Sequence, residues 1–188
     1  MRLALLGLAA AALLAPIVEA QNATTQEVTL AGIRGEAPAA WRKQSPTGEF
    51  RLAQFVLPRS EGDAADGVLI VYYFGEGGGG TLEDNLARWY SMMVQPDGKP
   101  SKDAAKVAKV EGEGVAITTV DLAGTYLDKP FPAAETFTRR PGYRLFAAMV
   151  ATPGAGGRGP YWIRAVGPAK TMADHAEGWQ AFVKSLRR

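Results

Sequence analysis

The sequence predicts an α+β fold: a mainly antiparallel sheet of about six to seven strands with a helix on each face, an α-β-α sandwich. Three observations lead there. About seven segments have the composition of strands, against two that carry an amphipathic helical stripe. Links between strands are short and bear glycine, as at Gly112-Glu113-Gly114, which favours hairpins and antiparallel pairing. Two segments, GVLIVYYF from Gly67 to Phe74 and YRLFAAMVA from Tyr143 to Ala151, are apolar with almost no alternation. Strands of that kind are covered on both faces, so with these two at the centre each helical stripe has a face to bury against.

The chain opens with Met1 and Arg2, runs through uninterrupted Leu, Ala and Gly from Leu3 to Leu14, and reaches Val18-Glu19-Ala20, where Val and Ala occupy the small-residue positions of a cleavage site. Residues 1–20 therefore read as a secretory signal peptide cut after Ala20, leaving residues 21–188 as a single globular α+β domain. The apolar run stops at Pro16 and is shorter than the ~20 residues of a spanning helix, and no later segment is apolar enough to serve as one. The sequence contains no cysteine, so an exported chain of this kind would hold together by packing without a disulfide, and there is no lipid-attachment thiol near the cut. This suits a bacterial periplasmic or secreted protein.

Within residues 21–188, Val28 to Ile33 alternates weakly and leads to Ala37-Pro38-Ala39-Ala40-Trp41, whose aromatic would pack under a sheet edge. Phe50 to Leu57 is strand-like and is stopped by Pro58, and Gly67 to Phe74 ends at glycines 75 and 77–80. Thr81 three residues before Asp84 is a capping-box start, and Leu82, Leu86, Trp89 and Met93 share one stripe, giving a helix over about 82–95 before Pro96. Ala105 to Glu111, Val115 to Leu122, Tyr143 to Ala151 and Tyr161 to Val166 supply four more strands. Thr171 and Asp174 repeat the capping pattern for a closing helix with Met172, Ala176, Trp179, Val183 and Leu186 on its stripe, ending near Arg187 where basic residues suit the helix dipole.

The composition, 47% hydrophobic and 21% charged over 188 residues, is that of a globular chain. With 21 basic and 19 acidic groups and no basic block, nothing marks a nucleic-acid footprint. His175 is the only histidine and no G-x-S-x-G occurs, which removes a serine triad; one His without Cys also makes a zinc or redox-metal site improbable, and no cofactor is implied. His175 reads as a helix-edge residue packing on the core. Glu61, Asp63 and Asp66 lie close together but lack the D-x-D-x-D-G spacing of a calcium loop, and read as a solvated hairpin tip.

Two segments are candidate binding surfaces. Ala123 to Gly142 reads as a loop of about twenty residues, a length uncommon in compact domains unless functional, interrupted by Pro130, Pro132 and Pro141. It mixes Tyr126, Phe131 and Phe137 with Lys129, Arg139 and Arg140, the combination of aromatic anchors and basic rim found at protein interfaces. The glycine run lacks the Gly-Lys-Ser/Thr of a phosphate loop, so what it offers is backbone N–H groups at Gly79, Gly80 and Thr81 as a small-anion site.

Through Ala37-Pro38-Ala39-Ala40-Trp41, the final Tyr161-Trp162-Ile163-Arg164-Ala165-Val166-Gly167-Pro168 and the closing helix with Trp179, Phe182 and Leu186, the chain resembles the PsbP/Mog-like α-β-α sandwich family. Phe74-Gly75-Glu76-Gly77-Gly78-Gly79-Gly80 followed by Asn85-Leu86-Ala87-Arg88-Trp89 is similar to exported bacterial proteins with a glycine loop and an N-x-x-R-W helix. The resemblance implies binding or assembly more than catalysis and carries no catalytic residue across. The expected function is that of an exported, non-catalytic binding or assembly protein of the bacterial envelope, contacting an envelope or extracellular protein through residues 123–142. The alternatives are an envelope hydrolase using carboxylates or a bound ion, and small-anion binding at the glycine loop.

Overall fold

The computed structural model describes residues 24–131 and 134–188. The expected signal peptide and the cut after Ala20 lie outside the described residues. The first two strands, β1 (Thr25–Leu30) and β2 (Ile33–Pro38), form a separate hairpin. The single weak strand expected over Val28–Ile33 is thus two strands, because the chain reverses at Ala31-Gly32, where both residues have positive φ. A second sheet has eight strands: β3 (Arg42–Gln44), β4 (Arg51–Leu57), β5 (Gly67–Tyr73), β6 (Met93–Val94), β7 (Lys106–Gly112), β8 (Val115–Asp128), β9 (Thr138–Ala151) and β10 (Tyr161–Pro168). Its order is β3-β4-β5-β10-β9-β8, with β6 and β7 both pairing with β8, and every pairing is antiparallel. The two strands without alternation, β5 and β9, flank β10 in the interior of the sheet.

The helices are shorter than the sequence predicts. α1 (Leu82–Ser91) ends early because Met93 and Val94 instead pair with Thr125 and Tyr126 as β6. A single turn, α2 (Ser101–Ala104), follows. The closing helix is two, α3 (Ala169–Asp174) and α4 (Ala176–Ser185), broken at His175 with φ −94° and ψ 2°.

Strand alternation divides the apolar residues into two clusters. Phe55, Leu69, Val71, Phe146, Ala148 and Ile163 join the β1–β2 hairpin and Met172, Trp179, Phe182 and Leu186 of the closing helices. On neighbouring positions of the same strands, Val120, Leu122, Leu145, Ala147 and Trp162 pack with Trp89 and Met93. The second cluster is smaller and its margin is only partly buried, including Tyr72, Tyr90, Met92, Tyr143 and Met149. The expected sandwich, one full helix on each face, is therefore an uneven arrangement: a hairpin and two helices over the first cluster, a ten-residue helix contributing to the second.

Residues 58–66, expected as a solvated tip, are tied to α3. Asp63 accepts from the Thr171 amide (2.9 Å) and hydroxyl (2.6 Å), Lys170 donates to the Glu61 carbonyl, and Asp66 pairs with Arg42 at 2.8 Å. The Thr171 hydroxyl is the main cause holding the Asp63 carboxyl below the ordinary value of 3.8, against partial desolvation. A depressed carboxyl stabilises the fold above its unfolded pKa, and that contribution disappears as pH falls through the folded value. The melting-temperature gap between the wild type and Asp63→Asn is therefore expected to be constant between about pH 5 and pH 8 and to close below about pH 4. A gap that persists unchanged into acid contradicts this.

Candidate functional site

The stretch expected as a twenty-residue loop is mostly regular structure. β8 and β9 are both 14 residues long and pair nearly to their ends, with Asp128 opposite Thr138, so the connection is only residues 129–137. Its prolines misled the sequence reading because Pro141 sits within β9, opposite the irregularity between Gly124 and Tyr126 that interrupts the ladder. Tyr126 points inward because the alternation of β8 runs on undisturbed, in phase with Val120 and Leu122, the extra residue of the irregularity lying on β9. The ring is 8% exposed and stacks on Tyr143 at 6.1 Å, and burial pushes its phenol pKa up against the opposing pull of Arg164.

Of the six residues singled out here, Tyr126 is thus a core residue. Arg140, opposite it in register, donates to Asp128 at 2.7 Å across the ladder, and that hydrogen bond raises its already high pKa. Phe131 and Phe137 remain at the tip, 60% and 43% exposed, and Arg139 beside them is exposed and outside the ion pairs found among the described residues. The tip thus presents two apolar rings and a guanidinium to solvent, which suits burial against another macromolecule.

The glycine loop is a structural clamp. Thr81 caps α1 with a complete capping box, its hydroxyl accepting from the Asp84 amide while its own amide donates to the Asp84 carboxylate at 3.1 Å. The Thr81 hydroxyl, which also donates to that carboxylate at 2.7 Å, is the main cause holding the Asp84 pKa down, with the amide adding to it, and the amide bond fills one of the three N–H groups expected to face an anion. Buried Asn85 donates to the Gly79 carbonyl (2.8 Å) and the Thr81 carbonyl (2.9 Å) and accepts from Arg88 (3.0 Å), while Trp162 donates to the Gly78 carbonyl. Trp89 meets Trp162 edge-on at 6.2 Å. The spacing of Asn85, Arg88 and Trp89 is therefore explained by loop pinning and core contact.

The histidine is also committed. His175 Nδ1 accepts from the Trp41 indole at 3.1 Å, which leaves Nε2 as the donor to the Pro58 carbonyl at 2.9 Å. Neither nitrogen is free to act as a base. Among the described residues, no group of three or more His, Asp or Glu could hold a metal ion, and no helix is long and apolar enough to cross a membrane.

Sequence reasoning passed over Arg164. It is a lone charge in the apolar run of β10, opposite Ile70 on β5 and Ala147 on β9, and its half-buried guanidinium lies on the α1 side of the sheet. There it contacts Met92 Sδ and the Tyr72 hydroxyl, each at 3.4 Å. The signal was available: a single arginine in a strand of otherwise buried character requires a reason. Arg144 on β9 makes the contrast. Its guanidinium grips Asp121 through two 2.7 Å hydrogen bonds, which raise its pKa, and lies 4.7 Å over the Phe146 ring.

The described chain thus belongs to the class of α+β folds built on a mainly antiparallel sheet with a few short helices, mostly C-terminal. Its structure is similar to the crystal structure of LpqN from Mycobacterium tuberculosis, described as involved in cell envelope biogenesis, with a TM-score of 0.50, 10% sequence identity and coverage of 87% of this chain and 90% of LpqN. No protein-family model and no curated protein sequence matches the chain.

Proposed function

We propose that this is an exported, non-catalytic binding or assembly protein of the bacterial envelope, periplasmic or secreted after removal of residues 1–20, that contacts an envelope or extracellular protein through the tip of the β8–β9 hairpin. The observation that carries the reading is the exposed pair Phe131 and Phe137 beside Arg139 at the end of that hairpin. Large apolar rings cost free energy in water and gain it when a partner covers them, and an adjacent arginine supplies directional hydrogen bonds at the rim. Two further points support it. The fold is similar to that of a protein described as involved in cell envelope biogenesis, and the PsbP/Mog-like resemblance points to assembly roles.

The test is capture of cross-linked partners from the native envelope by tagged residues 21–188, compared with the variant Phe131→Ala, Arg139→Ala, Arg140→Ala. The expected result is a specific protein recovered with the wild type and reduced at least tenfold with the variant, at a melting temperature within a few degrees of the wild type. Equal recovery by the two proteins places the contact elsewhere.

A further inference from the structure

We propose that Arg164 anchors a second ligand site, on the α1 side of the sheet, which takes the carboxylate or phosphate group of a small molecule. A guanidinium on an interior strand loses hydration, and such a charge is ordinarily compensated by an anion with good hydrogen bonds. Arg144 follows that rule through Asp121. Arg164 does not: it forms no ion pair among the described residues, and its contacts there are a thioether and a tyrosine hydroxyl, both at 3.4 Å. A guanidinium has five N–H donors, so most of its capacity is unspent. No buried side-chain nitrogen or oxygen among the described residues lacks a partner, so the open donors of Arg164, Nε–H among them, are within reach of solvent and of a ligand.

The surroundings suit an oxyanion with an organic body. The Tyr72 hydroxyl, already at the guanidinium, can donate to a bound anion, and the Arg51 guanidinium lies over the same ring, 6.0 Å from its centroid, adding positive charge. The partly buried rings and thioethers of Tyr90, Met92, Tyr143 and Met149 at the margin of the second cluster offer an apolar wall. The Asp128 carboxylate, the acid that acts on neighbouring Tyr126, is engaged by Arg140 and so is not available to neutralise Arg164.

Titration of residues 21–188 with acetate, inorganic phosphate, hexanoate and hexyl phosphate, followed at the arginine Nε–H resonances, tests the site. The expected result is a saturable shift of Arg164 with at least one probe while Arg144, locked to Asp121, stays still. Tighter binding of the hexyl probes identifies a ligand with an apolar body, and equal binding identifies a free oxyanion; both support the site. Arg164→Met, which keeps the stem, should weaken binding at least tenfold, read from the Trp162 indole resonance, and Arg164→Lys should retain part of it. No saturable shift at millimolar probe, or undiminished binding by a folded Arg164→Met protein, overturns the proposal.

Discussion

Replacing Gly79 with alanine is expected to lower the unfolding free energy by about 3 kcal/mol or more. Two costs combine. The residue has φ +91°, a region where a side chain is strained, and a Cβ there would fall on the Trp162 indole nitrogen and crowd the Phe74 ring. Trp162 cannot move cheaply, being 3% exposed and held against Trp89, and the loop cannot shift away because the Gly79 carbonyl is fixed by Asn85. Gly77→Ala is the control: its φ is +67° but nothing lies within 4 Å of the added carbon, so only the backbone cost of about 1 kcal/mol remains. Chemical denaturation of both variants gives the comparison, and equal losses would mean that the contact with Trp162 is not a packing constraint.

Trp41→Ala is expected to cost about 3–5 kcal/mol, the range for removing a buried aromatic. The ring is 1% exposed and touches Phe55, Phe182 and His175, joining the segment after β2 to the sheet and to the helix break. The same site separates packing from hydrogen bonding. His175→Ala leaves the Trp41 ring in place but removes the acceptor of its N–H, at a cost of about 1–3 kcal/mol. A His175→Ala loss below half a kcal/mol would show that the indole N–H finds water instead, and that the helix break at residue 175 has another cause.

Much of the sheet was legible because β4, β5, β7 and β10 are bounded by residues whose local chemistry matches their role: Pro58 after β4, the glycine run after β5, Gly112 at the end of β7 and Gly167-Pro168 at the end of β10. The helical stripes were legible as stripes, with Trp89, Trp179 and Val183 buried as their spacing required. Their lengths were not. The last turn predicted for α1 was lost to strand pairing by Met93 and Val94, and the closing helix was divided by contacts of His175 with Trp41 and Pro58, more than a hundred residues away in sequence. Such long-range competition leaves no trace in local periodicity.

The candidate sites divided along the same line. Pro, Gly and aromatic content over 123–142 suggested irregular structure, but a cross-strand irregularity lets Gly124 and Pro141 remain within paired strands, and the unbroken alternation of β8 carries Tyr126 inward with Val120 and Leu122. Phe131 and Arg139 kept the exposure their composition suggested. The glycine loop was conspicuous for a reason the sequence could not state: Asn85, six residues after Gly79, holds its carbonyl. Arg164 was overlooked because a charge inside a strand was absorbed into the pattern around it, and only the register with Ile70 and Ala147 reveals an interior position.

The central claim, that the hairpin tip is the partner surface, is tested most directly by placing a photo-crosslinking residue at position 131 and, in a separate protein, at exposed Glu83 on α1. Illumination in the native envelope should yield one discrete adduct from position 131, identifiable by mass spectrometry, and none of that size from position 83. The same adduct from both positions, or an adduct only from position 83, would contradict the account.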